Sequence, residues 1–270
     1  MIKEPYLIAV DMDGTLLNSK KKVSFLTRHY LTKLSKKGHV IVLASGRPSR
    51  SLYSYYNLLK LNSPMICYNG AYCFSPKDKS FPTKAFEFPR ETVKSLVKEL
   101  KPYIKNIMCE TDTEIWIDKE DKYLAKFFWY EGMKLHFGDI SATIDKDPMT
   151  FIVQTPIDEK DQTYVHDIVK KYKGLEARFW TASPYFELFF TGTSKGARVL
   201  DIASYYGIPK ERIIVFGDAD NDIEMFGIAG TSVVMKNGKG DKVRKNATMV
   251  SVKDNDHNGI YYTLKKYFKL

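Results

Sequence analysis

Cysteine is scarce: three residues in 270, Cys67, Cys73 and Cys109. Their number is odd, and their spacings fit neither a disulfide framework nor a C-x-x-C metal site. They are expected to be small buried hydrophobes rather than reactive thiols. Long apolar runs are missing too; none approaches the roughly 18 residues of a membrane span. The first residues, MIKEPYLIAVDMDG, hold only a short apolar stretch (6–10) before an acid and no small-residue cleavage site, unlike a secretory signal. No lipidation motif is present, and the expected address is the cytoplasm. Internal repeats, low-complexity tracts and Gly/Ser linkers are absent. The five histidines, His29, His39, His136, His166 and His257, show no metal-ligand spacing.

What is present is a core. An apolar fraction of 44% excludes long disorder and collagen-like repeats. At roughly 150 residues per domain, the length holds one large domain or two modest ones. Forty-two Lys and Arg against 32 Asp and Glu give a net charge of +10. An excess of this size is compatible with nucleic-acid binding. The lysines, however, are scattered over expected helix faces and interleaved with acids, and the densest patch, Lys20-Lys21-Lys22, follows a motif of another kind. A positive field that draws in small anions explains the excess equally well, and nucleic acid is not the expected partner.

The chain alternates short apolar runs with amphipathic stretches. Residues 6–10, 39–44 and 64–68 are expected strands, separated by expected helices over 24–37 and 49–61, with Ser24 and Gly38 as cap signals. The same grammar returns late: a helix over 195–206, a strand over 212–216, a short helix over 222–228, a strand over 231–235, a helical turn or two over 240–246 and a last strand over 248–252. Continuous apolar strands between helices predict a parallel sheet covered on both faces. The middle differs. Strands over 107–110 and 114–117 flank Thr111-Asp112-Thr113, and strands over 178–181 and 185–190 flank Ala182-Ser183-Pro184, two hairpin signals. Helices are expected over 91–103, 121–133 and 158–172. The predicted architecture is therefore an α/β, Rossmann-like parallel-sheet core, residues 1–81 and 192–270, interrupted by an α+β domain, residues 82–191.

Four expected parallel strands run into small polar residues: Asp11-Met12-Asp13-Gly14-Thr15, Ser45-Gly46-Arg47, Asn69-Gly70 and Gly217-Asp218-Ala219-Asp220-Asn221-Asp222. Open α/β sheets bind ligands beyond the carboxyl ends of their strands, and parallel strands put all four clusters on one edge. Asp11 and Asp13 are two residues apart, so their side chains point the same way. Asp218 and Asp222 arrive from a strand far away in sequence. Carboxylates gathered this closely repel unless a cation sits among them. Oxygen-only donors favour a hard ion, and Mg²⁺ fits best because it takes one or two carboxylates, water and a phosphate oxygen. Lys195, at a helix start, and Ser45, with the main-chain N–H groups around Gly46, supply donors for an oxyanion. One strand-end carboxylate then attacks phosphorus and a second protonates the leaving alcohol.

The motif Asp11-Met12-Asp13-Gly14-Thr15-Leu16 resembles the DxDGT nucleophile motif of the haloacid dehalogenase (HAD) superfamily. Ser45 resembles its second motif in the ASGR form, Lys195 its third, and Gly217 to Asp222 its fourth in the GDxxND form. Order and spacing agree over the whole chain. The insertion has the length and strand–helix pattern of a type C2 cap, and together with Asn69-Gly70-Ala71 it is similar to the Cof-type (class IIB) hydrolases. The resemblance implies Asp11 as nucleophile and Asp13 as general acid/base. It implies Mg²⁺ held by Asp11, the main-chain carbonyl of Asp13 and Asp218, with Asp222 on the metal side. Phosphate contacts would come from Met12 and Gly46 N–H groups, Ser45, Lys195 and Asn221, with Arg47 and Asn69 towards substrate. One departure is His257-Asn258-Gly259, where relatives often carry Asp-Gly.

Taken alone, most of these residues have plainer uses. A lone DxD caps helices or fills turns, Ser45 is a turn residue, Arg47 fits a salt bridge as well as a substrate contact, and Asp220 fits loop surface. Trp116, Trp129 and Trp180 fit a core better than a stacking platform. In company, the motifs predict an Mg²⁺-dependent phosphatase of small phosphorylated metabolites such as sugar phosphates, with the insertion hinging near 81–85 and 191–193. A phosphomutase on the same scaffold is the alternative, separated by its product. A nucleic-acid module is less favoured, because converging carboxylates repel a polyanion. Neither the physiological substrate nor the oligomeric state is encoded in these features.

Overall fold

The structure, a computed structural model, describes residues 4–156, 159–180 and 183–268. It divides into two compact units, Met1–Lys84 with Ser194–Leu270, and Ala85–Thr193. The first unit opens with β1 (Leu7–Asp11), α1 (Phe25–Lys36), β2 (Val40–Ala44), α2 (Ser49–Leu58), β3 (Met65–Cys67), β4 (Tyr72–Phe74) and the short edge strand β5 (Lys84–Ala85). The inserted unit contains α3 (Arg90–Leu100), β6 (Asn106–Glu110), β7 (Glu114–Ile117), α4 (Lys122–Phe128), β8 (Lys134–Phe137), α5 (Ile140–Thr143), β9 (Thr150–Gln154), α6 (Glu159–Lys170), β10 (Leu175–Phe179) and β11 (Tyr185–Phe190). The chain closes with α7 (Lys195–Tyr205), β12 (Ile213–Gly217), α8 (Ile223–Ile228), β13 (Thr231–Val234), α9 (Asp241–Asn246), β14 (Met249–Val250) and α10 (Gly259–Phe268).

The first sheet has the order β14-β13-β12-β1-β2-β3-β4-β5. Strands from β14 to β3 pair in parallel, and β4 returns antiparallel to β3. In β1, Leu7, Ile8, Ala9 and Val10 are all fully buried. Successive side chains of a strand face opposite ways, so both faces of the sheet are covered. On one face Leu7 and Ala9 pack with Val42 and Val215 against Val199, Ile202, Met225 and Phe226 of α7 and α8. Each large aliphatic buried here contributes about 1.5–3 kcal/mol relative to exposure. The chain moves outward from β1 in one direction through β2 and β3, and in the other through β12 and β13. That reversal puts a topological switch point at β1. Register brings Asp11 beside Ala44, Ala44 beside Ile66, and Val10 beside Phe216, so the polar residues that follow these strands gather at one edge.

Local signals explain the helices that hold this edge. Ser24 caps α1 by accepting from the Thr27 N–H at 3.3 Å, and Lys33 and Lys36 occupy its last turn, where cations complement the helix dipole. Ser194 caps α7 by accepting from Ala197. Gly196 lets α7 lie against α8, since a Cβ there would stand 2.6 Å from the Glu224 carbonyl.

The inserted unit is an α+β layer pair. Its sheet has the order β10-β11-β9-β6-β7-β8, antiparallel throughout except that β7 and β8 run parallel. Ile107, Cys109, Trp116, Phe151, Val153, Phe186 and Leu188 pack on Val93, Leu96, Val97, Val165 and Val169 of α3 and α6.

Several elements differ from the sequence reading. Strands β4, β5, β8 and β9 and helices α5 and α10 stand where no element was expected. The helix expected over 121–133 ends at Phe128, because Trp129 turns to φ +48°. The strand expected over 178–181 lies at Leu175–Phe179. Thr181 and Ala182 of that hairpin, and the expected start of a helix at Asp158, lie outside the described residues. The three cysteines are buried and unpaired with one another; burial pushes the Cys73 thiol up to about 12. No helix among the described residues is long and apolar enough to cross a membrane.

Candidate active site

Asp11 ends β1, Lys195 begins α7, Asp218 follows β12, and Asp222 lies in the 3-10 turn entering α8. The carboxylates of Asp11, Asp218 and Asp222 each offer an oxygen, and these lie within 4.8 Å of one another. Lys195 is fully buried and donates from Nζ to Asp11 Oδ1 at 2.6 Å and to Asp222 Oδ1 at 2.8 Å. The other oxygen of Asp222 accepts the main-chain N–H groups of Asp218 and Ala219 at 2.9 and 3.1 Å, which fixes that carboxylate as an acceptor. Thr15 donates its hydroxyl to Asp218 Oδ1 at 2.9 Å. Gly14, at φ +81°, is pressed so close that a Cβ would run into the Asp218 carboxylate; the glycine of the first motif thus permits the approach of the fourth.

Three carboxylates face one ammonium in this cluster. Burial, with Asp222 and Asp218 adding to it and Lys195 opposing, holds the Asp11 carboxyl well above its ordinary range. Burial and then the Asp222 charge push Asp218 up to about 6. Burial works against the Lys195 ammonium, but Asp11 and Asp222 outweigh it and raise its pKa. When all three acids are ionised, the cluster carries more negative charge than its own lysine balances. Hard oxygen donors with an unbalanced negative charge fit Mg²⁺.

Asp13 stands apart from the triad. Its carboxylate takes a bidentate pair of bonds from Arg47, Nε to Oδ2 and Nη2 to Oδ1, both 2.6 Å, and a third from Lys21 Nζ at 2.6 Å. Burial raises the Asp13 pKa, but the bonds and charges of Arg47 and Lys21 together bring it below the ordinary value. Arg47, one of two uses open in the sequence, makes the salt bridge. Ser45 is buried; its hydroxyl accepts the Arg47 N–H at 3.1 Å and its carbonyl accepts the Asn69 N–H at 2.9 Å. Gly46 lies beside the Asn69 amide, and Asn221 donates to Asn69 Oδ1 at 2.9 Å. Met12 is fully buried and its carbonyl accepts from Leu17 at 2.8 Å. Asp220 is exposed.

The chain belongs to the haloacid dehalogenase-like hydrolases. The model of that family matches residues 8–264. The chain is 32% identical to the 5-amino-6-(5-phospho-D-ribitylamino)uracil phosphatase YitU of Bacillus subtilis, over the full length of both. It is 26% identical to the pyridoxal phosphate phosphatase YbhA of Escherichia coli, over 94% of this chain and 95% of that one. A haloacid dehalogenase-like hydrolase from Bacteroides thetaiotaomicron superposes with a TM-score of 0.82 at 25% identity, over 98% of this chain and all of the other.

Four residues bonded to this cluster of motifs were not singled out in the sequence. Thr15 sits inside the first motif and Lys21 inside the densest lysine patch, so both had a signal. Asn237 and Asn255 had none. Asn237 donates to the Gly14 carbonyl at 2.7 Å, and Asn255 donates to the Leu17 carbonyl at 2.9 Å while its N–H meets Asn237 Oδ1 at 3.1 Å. The departure at residues 257–259 is accommodated locally: Asn258 takes φ +63° and the Gly259 N–H closes on the Asp254 carbonyl at 2.8 Å.

Proposed function

We propose that this chain hydrolyses phosphate monoesters of small metabolites through an aspartyl-phosphate on Asp11. The observation that carries the reading is the buried Lys195 bonded to both Asp11 and Asp222, with Asp218 in the same cluster. A structural ion pair needs one carboxylate per ammonium; a cluster with surplus buried charge is costly unless a further cation is part of it. Asp11, Asp218 and the main-chain carbonyl of Asp13 would hold Mg²⁺, with Asp222 on the same side. When bound, the ion neutralises charge on the transferring group.

The chain's own residues supply the rest. Asp11 attacks phosphorus as the ester P–O bond breaks, and Asp13 gives a proton to the leaving oxygen. In the second half, Asp13 takes a proton from water. That water attacks phosphorus, the bond to Asp11 breaks, and phosphate leaves. Lys195, Ser45, the N–H groups of Met12 and Gly46, and Asn221 would stabilise charge on the phosphoryl oxygens, where most catalysis of phosphoryl transfer lies. Asn69 and Arg47 would stand towards substrate, and the unit Ala85–Thr193 would be the cap that chooses among leaving groups.

The hydrolase family and the two phosphatase relatives support hydrolysis over transfer to a second sugar. The test is Asp11→Asn. Purified wild-type protein with Mg²⁺ should release inorganic phosphate from an aryl phosphate, and the variant should lose roughly a thousandfold or more of that rate; undiminished release would exclude Asp11 as nucleophile. EDTA should abolish release, and added Mg²⁺ should restore it.

A further inference from the structure

We propose that Lys21 selects substrates that carry a second anionic group, a carboxylate or another phosphate, close to the phosphate ester. The inference rests on the reading above, in which Asp13 faces the leaving-group oxygen.

The loop after the nucleophile motif is tightly built. Leu17 and Val23 form an antiparallel bridge at its base. The Asn18 N–H meets the Lys22 carbonyl at 3.0 Å, and the Lys21 N–H meets the Asn18 carbonyl at 2.8 Å. Asn18 Oδ1 accepts the N–H groups of Lys20 and Lys22, and the Tyr55 hydroxyl donates to the Lys21 carbonyl at 3.1 Å. Lys21 lies at the turn with φ +55°. A side chain there costs about 1 kcal/mol that glycine would not. Such a cost persists where a side chain has a use.

The use is visible in the charges. Arg47 already satisfies the Asp13 carboxylate with two bonds, and its side chain is only 4% exposed. Lys21 adds a second cation to the same carboxylate from a side chain that is 61% exposed. It is therefore the outer, surplus charge, with Lys20 and Lys22 exposed beside it. Asp13 Oδ1 accepts from both Arg47 Nη2 and Lys21 Nζ, and for Asp13 to reach the leaving oxygen the exposed Lys21 ammonium is the donor that gives way. An anionic substituent on the leaving group offers it a new partner within reach; a neutral leaving group offers none. If Lys21 instead touched the transferring phosphoryl, its loss would weaken every substrate alike.

The test compares 2-phosphoglycolate with ethyl phosphate, which differ by a carboxylate in place of a methyl group. Wild-type kcat/KM should favour phosphoglycolate, and Lys21→Met should remove roughly tenfold of that preference, chiefly through KM. Lys21→Arg should restore most of it. Lys21→Gly, which suits the left-handed backbone, should behave like Lys21→Met and guards against misfolding. Equilibrium binding of the two compounds to protein carrying Asp11→Asn, with and without Lys21→Met, should show the same contrast. No preference in the wild type, a preference that survives Lys21→Met, or an equal loss on both compounds overturns the inference. If neither compound releases phosphate, the binding comparison decides this inference, and the aryl phosphate assay separately decides the hydrolase reading.

Discussion

Lys195 stands at the first position of α7, where the helix dipole disfavours a cation by about 0.3–1 kcal/mol. It is also fully buried. Both costs are offset by two carboxylates at 2.6 and 2.8 Å. Removing the ammonium would leave buried acids unbalanced, so Lys195→Met should lower unfolding free energy by about 3 kcal/mol or more in metal-free protein and abolish phosphate release; urea unfolding and a phosphate assay would measure each. Lys195 was legible in sequence through its place in the order of motifs, to which an ammonium at a helix start added only modestly. Asp11, Ser45 and Asp218 were legible because each follows an apolar strand. Asn237 and Asn255 were not: they act through main-chain carbonyls of Gly14 and Leu17, 223 and 238 residues away, and no local pattern encodes such a contact.

At the scale of elements, the segment between β14 and α10 braces the loop that follows β1. Asn255 reaches both Leu17 and Asn237, and Asp256 accepts the Ser19 N–H at 2.7 Å. Asn255→Ala should cost about 1 kcal/mol of stability, the value of one net hydrogen bond, and should reduce kcat more than KM, read from thermal melting and steady-state kinetics. The parallel strands of the first sheet were legible because β-α alternation repeats, with cap signals at both ends of α1; β4 and β5, outside that alternation, were not. The inserted sheet was only half legible. Its hairpin β6–β7 joins neighbours in sequence, but β9 pairs with β6 and β11 across long separations and has no adjacent partner to announce it. Strand β8, KLHF, is largely exposed, so it lacks the apolar run that marks a strand. Helix α10 begins at Gly259, a residue more often taken as a terminator.

For the whole molecule, the acid cluster couples stability to pH and to metal. The folded pKa of Asp218, near 6, lies above the ordinary carboxyl value, and Asp11 moves the same way. A raised folded pKa adds stability that is full below the unfolded value and is lost as pH rises through the folded one. Metal-free protein should therefore lose stability between about pH 4 and pH 6, apart from other titrations. Mg²⁺ would bind the ionised form. It should raise the melting temperature more at about pH 7.5 than at about pH 5, a comparison made by calorimetry with and without EDTA; equal shifts would disconnect the cluster from the ion. The pairing of β1 with β12 has a consequence for biosynthesis. Leu7 meets Ile213, so β1 emerges from the ribosome long before this neighbour exists. At about 5–20 residues per second, the nascent chain waits on the order of ten to forty seconds with one flank of that strand unpaired. The cluster that joins Asp11 to Asp218 and Asp222 is thus completed late in translation.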